Sequence, residues 1–200
     1  MDNALIIFIK NPVEGKVKTR LAKDIGHTQS LIIYKYLLAH TRNISSSVSA
    51  NRLLFYDARP VRDEWPENDF EKFSQSGENL GSRMFNAFQT AANKGNKRMI
   101  IIGSDCIQLT SKLIKDAFNK LERHDFVIGP AKDGGYYLIG MKYPEERLFI
   151  NKRWSTHTVF SDTLKDIKEM SKTVSVLPVL SDIDIFADLN RELLDLIIIP

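Results

Sequence analysis

Lys10, Lys16, Lys18 and Arg20 fall within the stretch Lys10-Asn-Pro-Val-Glu-Gly-Lys-Val-Lys-Thr-Arg20, opposed there by Glu14 alone, so this stretch carries +3. The whole chain also carries +3, from 28 Lys and Arg against 25 Asp and Glu, so everything outside the stretch sums to zero. Positive charge gathered around a glycine, here Gly15, suits phosphate. Backbone N–H groups approach an anion closely at the glycine, and ammonium or guanidinium groups neutralise it. A phosphate-bearing substrate is the expectation.

Acidic residues supply the complementary chemistry. Asp105 stands just past the apolar run 99–102. A carboxylate there could bind Mg²⁺ or Mn²⁺ bridging substrate phosphates; its plainer role would be a helix N-cap, which Thr110 or Ser111 fills better. Asp133-Gly-Gly-Tyr136 reads first as a turn. Two glycines, Gly134 and Gly135, also let a substrate reach the backbone, with Asp133 as a base or acceptor ligand. Tyr136 and Tyr137 alternate in facing, so one is expected to pack and the other to line a cleft. Asp184, in Asp182-Ile-Asp184, could give the metal a second carboxylate, whereas Asp188 suits the start of the last helix. Arg83, in a first helical turn, could reach a phosphate or base, against the commoner role of an exposed helical arginine. Trp154-Ser-Thr156 reads as an anchor and a helix cap at Ser155 or Thr156. Cys106 reads as structural, the four histidines are too scattered for zinc, and no Gly-x-Ser-x-Gly elbow is present.

These residues need a frame. Apolar runs at 4–9, 52–56, 70–74, 98–102, 126–128, 136–139 and 174–177 read as strands. Segments 29–48, 81–94, one opening at Thr110, 156–170 and 186–196 read as helices, the first by Leu31, Tyr34, Leu37, Leu38 and Ile44 near a 3.6 period. Strands alternating with helices indicate an α/β protein with a mostly parallel sheet. Such sheets bind ligands at the carboxyl ends of their strands, where the cationic loop, Gly103-Ser-Asp105 and Lys132-Asp133-Gly134-Gly135 all fall. Two hundred residues without linker or repeat make one domain, 1–200, the simpler organisation.

Composition narrows the classes. An apolar share of 43% and a charged share of 26% are those of an ordinary globular protein. The excess charge is local, with no Lys/Arg stripe elsewhere, which argues against nucleic acid as a partner. A single cysteine excludes an intrachain disulfide and a cysteine metal cage. The acidic start, Met1-Asp-Asn, is unlike a signal peptide, and no run approaches the roughly 20 apolar residues of a membrane span. A cytoplasmic address without membrane contact is expected. The apolar end, 193–200, is suited to packing on the core or on a partner.

With these motifs assembled, the chain resembles the GT-A-type nucleotide-diphospho-sugar transferases. More narrowly, it resembles the small bacterial radical-SAM/selenodomain-associated transferases. The resemblance runs nearly end to end, through Lys10 to Leu21, Gly103-Ser-Asp-Cys106, Gly129 to Gly140, Trp154-Ser-Thr156 and Asp182-Ile-Asp184. It implies a Rossmann-like three-layer sandwich with a mixed, mostly parallel sheet that binds a nucleotide over its N-terminal half. It maps the metal, Mg or Mn, to Asp105, and the phosphate loop to Gly15, Lys18 and Arg20, beside Lys10. Two departures stand out: Asn79-Leu-Gly81 where Asp-Leu-Gly is usual, and Ile107 where proline follows the acidic motif. Asn79 is expected to weaken a nucleotide contact, and Ile107 to alter only loop stiffness. The implied partners are a nucleotide or nucleotide-sugar and a small-molecule acceptor. Glycosyl transfer is the first expectation. Nucleotidyl transfer with release of pyrophosphate is the alternative, and a non-catalytic nucleotide-binding protein the second alternative.

Overall fold

Runs of β-branched and aromatic residues make the strands: β1 Asn3–Ile9, β2 Asn51–Tyr56, β3 Glu71–Ser74, β4 Arg98–Ile102, β5 Phe126–Pro130, β6 Tyr136–Met141 and β7 Val174–Val176. In the computed structural model, which describes residues 1–58 and 63–197, they form one sheet of order β3-β2-β1-β4-β6-β5-β7. All neighbours pair in parallel except β6, which runs antiparallel to both β4 and β5. The β5–β6 connection is the expected tight turn, and β5 ends in an irregularity at Gly129/Pro130, where proline removes a ladder donor.

Alternation along each strand sorts the core into two layers. Leu5, Ile7, Leu54, Ile100, Ile102 and Val127 face helices α1 (Ala22–Ser46) and α3 (Ser111–Arg123). Ala4, Ile6, Leu53, Phe55, Met99, Ile101 and Ile139 face α2 (Leu80–Asn93) and α4 (Val159–Glu169). The result is the expected α/β three-layer arrangement with a mostly parallel, mixed sheet. Thr110 caps α3 through its hydroxyl, which accepts from the Leu113 N–H at 3.2 Å.

Three helical boundaries differ from the sequence reading. Helix α1 begins at Ala22, not at residue 29, because two helical pieces join across Gly26, whose φ of 79° no regular helix contains. Helix α4 begins at Val159; Thr158 holds its N-cap position with no side-chain capping bond, its hydroxyl lying 3.2 Å from that of Thr156, so neither Ser155 nor Thr156 takes the cap position. The helix expected at 186–196 is a 3-10 turn, Phe186–Asp188, then a four-residue α5, Arg191–Leu194. Leu189 is extended between them, and Asn190 starts the second piece by accepting from Leu193 N–H. In the apolar end, Leu193 and Ile197 pack on Leu21, Ile25, Ile33 and Leu37 of the same chain; residues 198–200 lie outside the described residues.

Candidate functional site

Because β6 runs against its neighbours, its first residue lies at the same edge of the sheet as the last residues of β1 and β4. A cleft of about 790 Å³ opens there. Ile9 and Lys10 from the end of β1, Gly103 to Asp105 after β4, and Asp133, Gly135 and Tyr136 from the β5–β6 turn all line it. The first turn of α2 contributes Leu80, Arg83 and Met84, and the segment before α4 contributes Trp154 to His157.

An ionic knot forms the centre. Lys18 Nζ lies 2.7 Å from Asp105 Oδ1 and 3.4 Å from Asp184 Oδ1, while Arg20 also pairs with Asp184. The Lys18 side chain is only 4% exposed, against 44% for Asp105 and 65% for Arg20. Lys18 reaches this position from a backbone φ of 48°, a left-handed conformation that costs an L residue about 1–2 kcal/mol. The segment carrying Asp184 is pinned to the loop after β4 by the Ile183 N–H, which donates to the Asp105 carbonyl at 2.9 Å. Asp188 accepts from the N–H groups of Asp184 and Ile185, both at 2.9 Å, and so orients this segment rather than entering the cleft. Asp182 also lines the cleft. Burial, reinforced by the carboxylates of Asp105, Asp133 and Asp184, pushes its carboxyl up to about 7.

Below the knot, Tyr34 from α1 ties two strand ends together. Its hydroxyl accepts from Lys10 N–H at 2.9 Å, donates to the Lys10 carbonyl at 3.0 Å and lies 3.4 Å from Ser104 Oγ. Gln75 does the same for β1 and β2, donating to the carbonyls of Ile9 and Phe55, both at 3.2 Å.

The Asp133 turn lines the same cleft. Asp133 Oδ1 accepts from Gly135 N–H at 2.9 Å, which fixes the carboxylate. Gly134 has a φ of 90°, its carbonyl accepts from Phe160 N–H at 2.9 Å, and a β-carbon there would overlap the His157 carbonyl. Gly81 is needed for a similar reason, since a β-carbon would come within 2.8 Å of the Trp154 indole. Tyr136 and Tyr137 both line the cleft, from opposite faces of the sheet, and the Tyr137 hydroxyl donates to the Pro178 carbonyl at 3.0 Å. Tyr137, 4% exposed, packs in the core even where it borders the cleft, and the partly buried Tyr136 faces the cleft, as the alternation implies.

Of the residues singled out by sequence, Lys10, Lys18, Arg20, Arg83, Asp105, Asp133, Gly135, Tyr136 and Asp184 line one cleft. Arg83 is also held by its Nε, which donates to the Gly77 carbonyl at 3.1 Å. Gly15, Asn79 and Gly134 are not among the lining residues. Gly15 has a φ of 76° with open space around it, so it shapes the loop instead of touching the cleft. Asn79 is the N-cap of α2: its Oδ1 accepts from Ser82 N–H at 3.0 Å, in a reciprocal capping box. Asparagine caps about as well as aspartate, so the departure from Asp-Leu-Gly leaves the helix start intact. Ile107 packs against the cluster of Leu21, Ile25 and Ile183, which gives it more than an effect on loop stiffness. Cys106 is a buried free thiol, pushed up to about 12 by burial. Asp182, Tyr34, Gln75, Trp154 and His157 were not chosen as site residues from sequence. Two carried a usable signal: Trp154 by its place in the Trp154-Ser-Thr156 motif, and Asp182 because in an extended Asp-x-Asp alternate side chains share a side.

A divalent ion fits this site only in a shared form. Among the described residues no three His, Cys, Asp or Glu side chains are grouped to hold a metal. Oxygen donors are nevertheless plentiful, and Asp105 is open to the cleft. That set suits an ion that takes one or two carboxylates from the protein and the rest from phosphates and water.

Residues 41–156 match the family described as "Uncharacterized protein conserved in bacteria (DUF2064)". The chain belongs to this family. The match includes Asn79, Arg83, Asp105, the Asp133 turn and Trp154; the Lys18 loop and Asp184 lie outside it. This DUF2064 protein is also similar to a solved structure from Desulfovibrio desulfuricans G20, described provisionally as a nucleotide-diphospho-sugar transferase. The two are 30% identical, with a TM-score of 0.86, over 92% of this chain and 83% of that one. The fold is shared with the inositol-1-phosphate CTP transferase of T. maritima, at 14% identity and a TM-score of 0.58, over 98% of this chain and 94% of that one. It is shared too with a cytidylyltransferase from Leptospira borgpetersenii, at 13% identity and a TM-score of 0.59, over 98% and 92%. A search of curated proteins returned no match. No described helix is long and apolar enough to cross a membrane.

Proposed function

We propose that the protein is a transferase acting on a nucleotide-activated donor, with glycosyl transfer from a nucleotide-diphospho-sugar to a small acceptor as its reaction. The observation that carries this reading is the facing of Lys18 and Arg20 against Asp105 and Asp184 in one cleft at the carboxyl edge of the sheet. The 30%-identical Desulfovibrio relative supports the donor class. The narrower kinship with radical-SAM/selenodomain-associated transferases rests on the sequence motifs.

Lys10, Lys18 and Arg20 grip the donor's diphosphate, and Arg83 stands at the N-terminal-half side for the nucleotide. A divalent cation, Mg²⁺ or Mn²⁺, would be held by Asp105, with Asp184 in reach, and would add positive charge where the leaving diphosphate gains negative charge. Asp133, fixed by its bond from Gly135 N–H, takes the proton of the acceptor hydroxyl. The acceptor oxygen bonds to the sugar's anomeric carbon as the bond to the β-phosphate oxygen breaks, and a nucleoside diphosphate leaves. Fixed cations aimed at the charge that develops are the main source of acceleration. Tyr136 and Trp154 form the wall beside Asp133 on which the acceptor rests.

Nucleotidyl transfer is the second reading, favoured by the number of cations, which suits a triphosphate, and by the fold shared with cytidylyltransferases. In it a phosphate of the acceptor attacks the donor's α-phosphate and pyrophosphate leaves.

A thermal-shift screen of nucleoside triphosphates and nucleotide-sugars, with and without Mn²⁺ or Mg²⁺, separates the two. Ligand at 100 times its dissociation constant stabilises by about 2.7 kcal/mol. A metal-dependent shift with a nucleotide-sugar is expected, and a shift confined to one triphosphate moves the assignment to nucleotidyl transfer. Asp105→Ala should abolish turnover while remaining folded; full activity in that variant would sink the assignment.

A further inference from the structure

We infer that Lys18 occupies the metal's place between Asp105 and Asp184 until a phosphate-bearing ligand draws it away, so that the divalent ion enters with the phosphates and not before them. This rests on the proposed transferase reading.

Three observations lead to it. The Lys18 ammonium is within ion-pair distance of both carboxylates, 2.7 Å from Asp105 and 3.4 Å from Asp184. A hard divalent ion needs those same oxygens at about 2.0–2.1 Å, so ammonium and ion compete for one set of ligands and repel each other. Next, the Lys18 side chain is 4% exposed, and water therefore offers its charge little compensation if it leaves the carboxylates. Another anion must replace them. Finally, the neighbouring Arg20 is 65% exposed and shares Asp184, which leaves a guanidinium open to solvent where a phosphate would first arrive.

A phosphate ligand satisfies each requirement together. It gives Lys18 a new anionic partner, frees Asp105 and Asp184, and contributes the further oxygens that an ion sharing few protein ligands needs. Metal alone does none of this. The arrangement therefore keeps Asp105 and Asp184 oriented in the unliganded protein and couples metal binding to phosphate binding. Such coupling is reciprocal: phosphate tightens metal to the same factor that metal tightens phosphate.

The test uses Mn²⁺ and inorganic pyrophosphate, which needs no knowledge of the nucleotide base. Free Mn²⁺ is followed by its EPR signal during titration of wild type, Lys18→Met, Lys18→Gln and the double variant Lys18→Met/Asp105→Asn. Removing the ammonium is expected to tighten Mn²⁺ binding at least tenfold, and the double variant to lose that gain. Folded Lys18 variants that bind Mn²⁺ no better than wild type would overturn the inference. Wild type alone supplies an independent check by thermal melting. Mn²⁺ is expected to raise the melting temperature only when pyrophosphate is present; an equal rise with Mn²⁺ alone also overturns the inference. If the Lys18 variants gain Mn²⁺ but pyrophosphate never stabilises any form, the competition between Lys18 and the metal stands and the proposed transferase reading fails instead.

Discussion

The Tyr34 phenol shows how one side chain serves the cleft without entering the chemistry. Its hydroxyl is the side-chain partner of the Lys10 N–H and carbonyl, and it reaches Ser104 beside Asp105. Tyr34→Phe keeps the ring in the core and hands the Lys10 donor, at the rim of an open cleft, to water, which costs about 0.5–1.5 kcal/mol. Urea unfolding should show a loss of that size, together with a raised KM for the donor as Lys10 drifts. Sequence could not have singled out this phenol, because at its helical spacing it reads only as part of the apolar stripe of α1. Lys18, Arg20, Asp105, Asp133 and Asp184 were legible, since charge clustering and placement after strands are properties of the linear chain. Asp182 was harder to choose. Its elevated carboxyl depends on burial and on three carboxylates brought close by folding, none of which a neighbouring residue in sequence reports.

Among the elements, two glycines with similar backbone angles make opposite forecasts. Gly134, at a φ of 90°, is jammed against the segment before α4, whereas Gly15, at 76°, faces open space. Gly15→Ala should cost only the left-handed penalty, about 1–2 kcal/mol. Gly134→Ala should cost more than that and should lower turnover as well, because the Asp133 turn must lift off His157 and Phe160. Melting curves and initial rates on the pair check both statements. Strands were read from sequence within a residue or two, because apolar runs bounded by polar turns are local signals. The helix ends were less legible: α1 resumes across Gly26, and the last helix breaks at Leu189 because Asn190 caps a new start. The position of β6 between β4 and β5 was also out of reach, since neighbour order depends on pairings between distant segments.

At the scale of the whole molecule, acid sensitivity should appear at the sheet's far edge. Asp125 precedes β5 and accepts from the Thr173 N–H at 2.9 Å and the Thr173 hydroxyl at 2.8 Å, which ties down the start of β7. The backbone bond from Thr173, followed by the hydroxyl bond, holds its carboxyl below the usual range. A folded value below the unfolded one, about 3.9, means that this stabilisation is complete above that pH. It is lost as the pH falls through the folded value. Denaturant midpoints measured from pH 7 down to 2 should therefore decline below about pH 4, and less steeply in Asp125→Asn. The cleft has another kind of dependence on the whole. Lys18 and Asp184 are 166 positions apart, so a chain leaving the ribosome completes β1 to β4, and Asp105 just after them, long before the second carboxylate of its buried lysine has been made. The nascent protein thus passes through a stage in which β1 to β4 are made and Lys18 has Asp105 for a partner without Asp184.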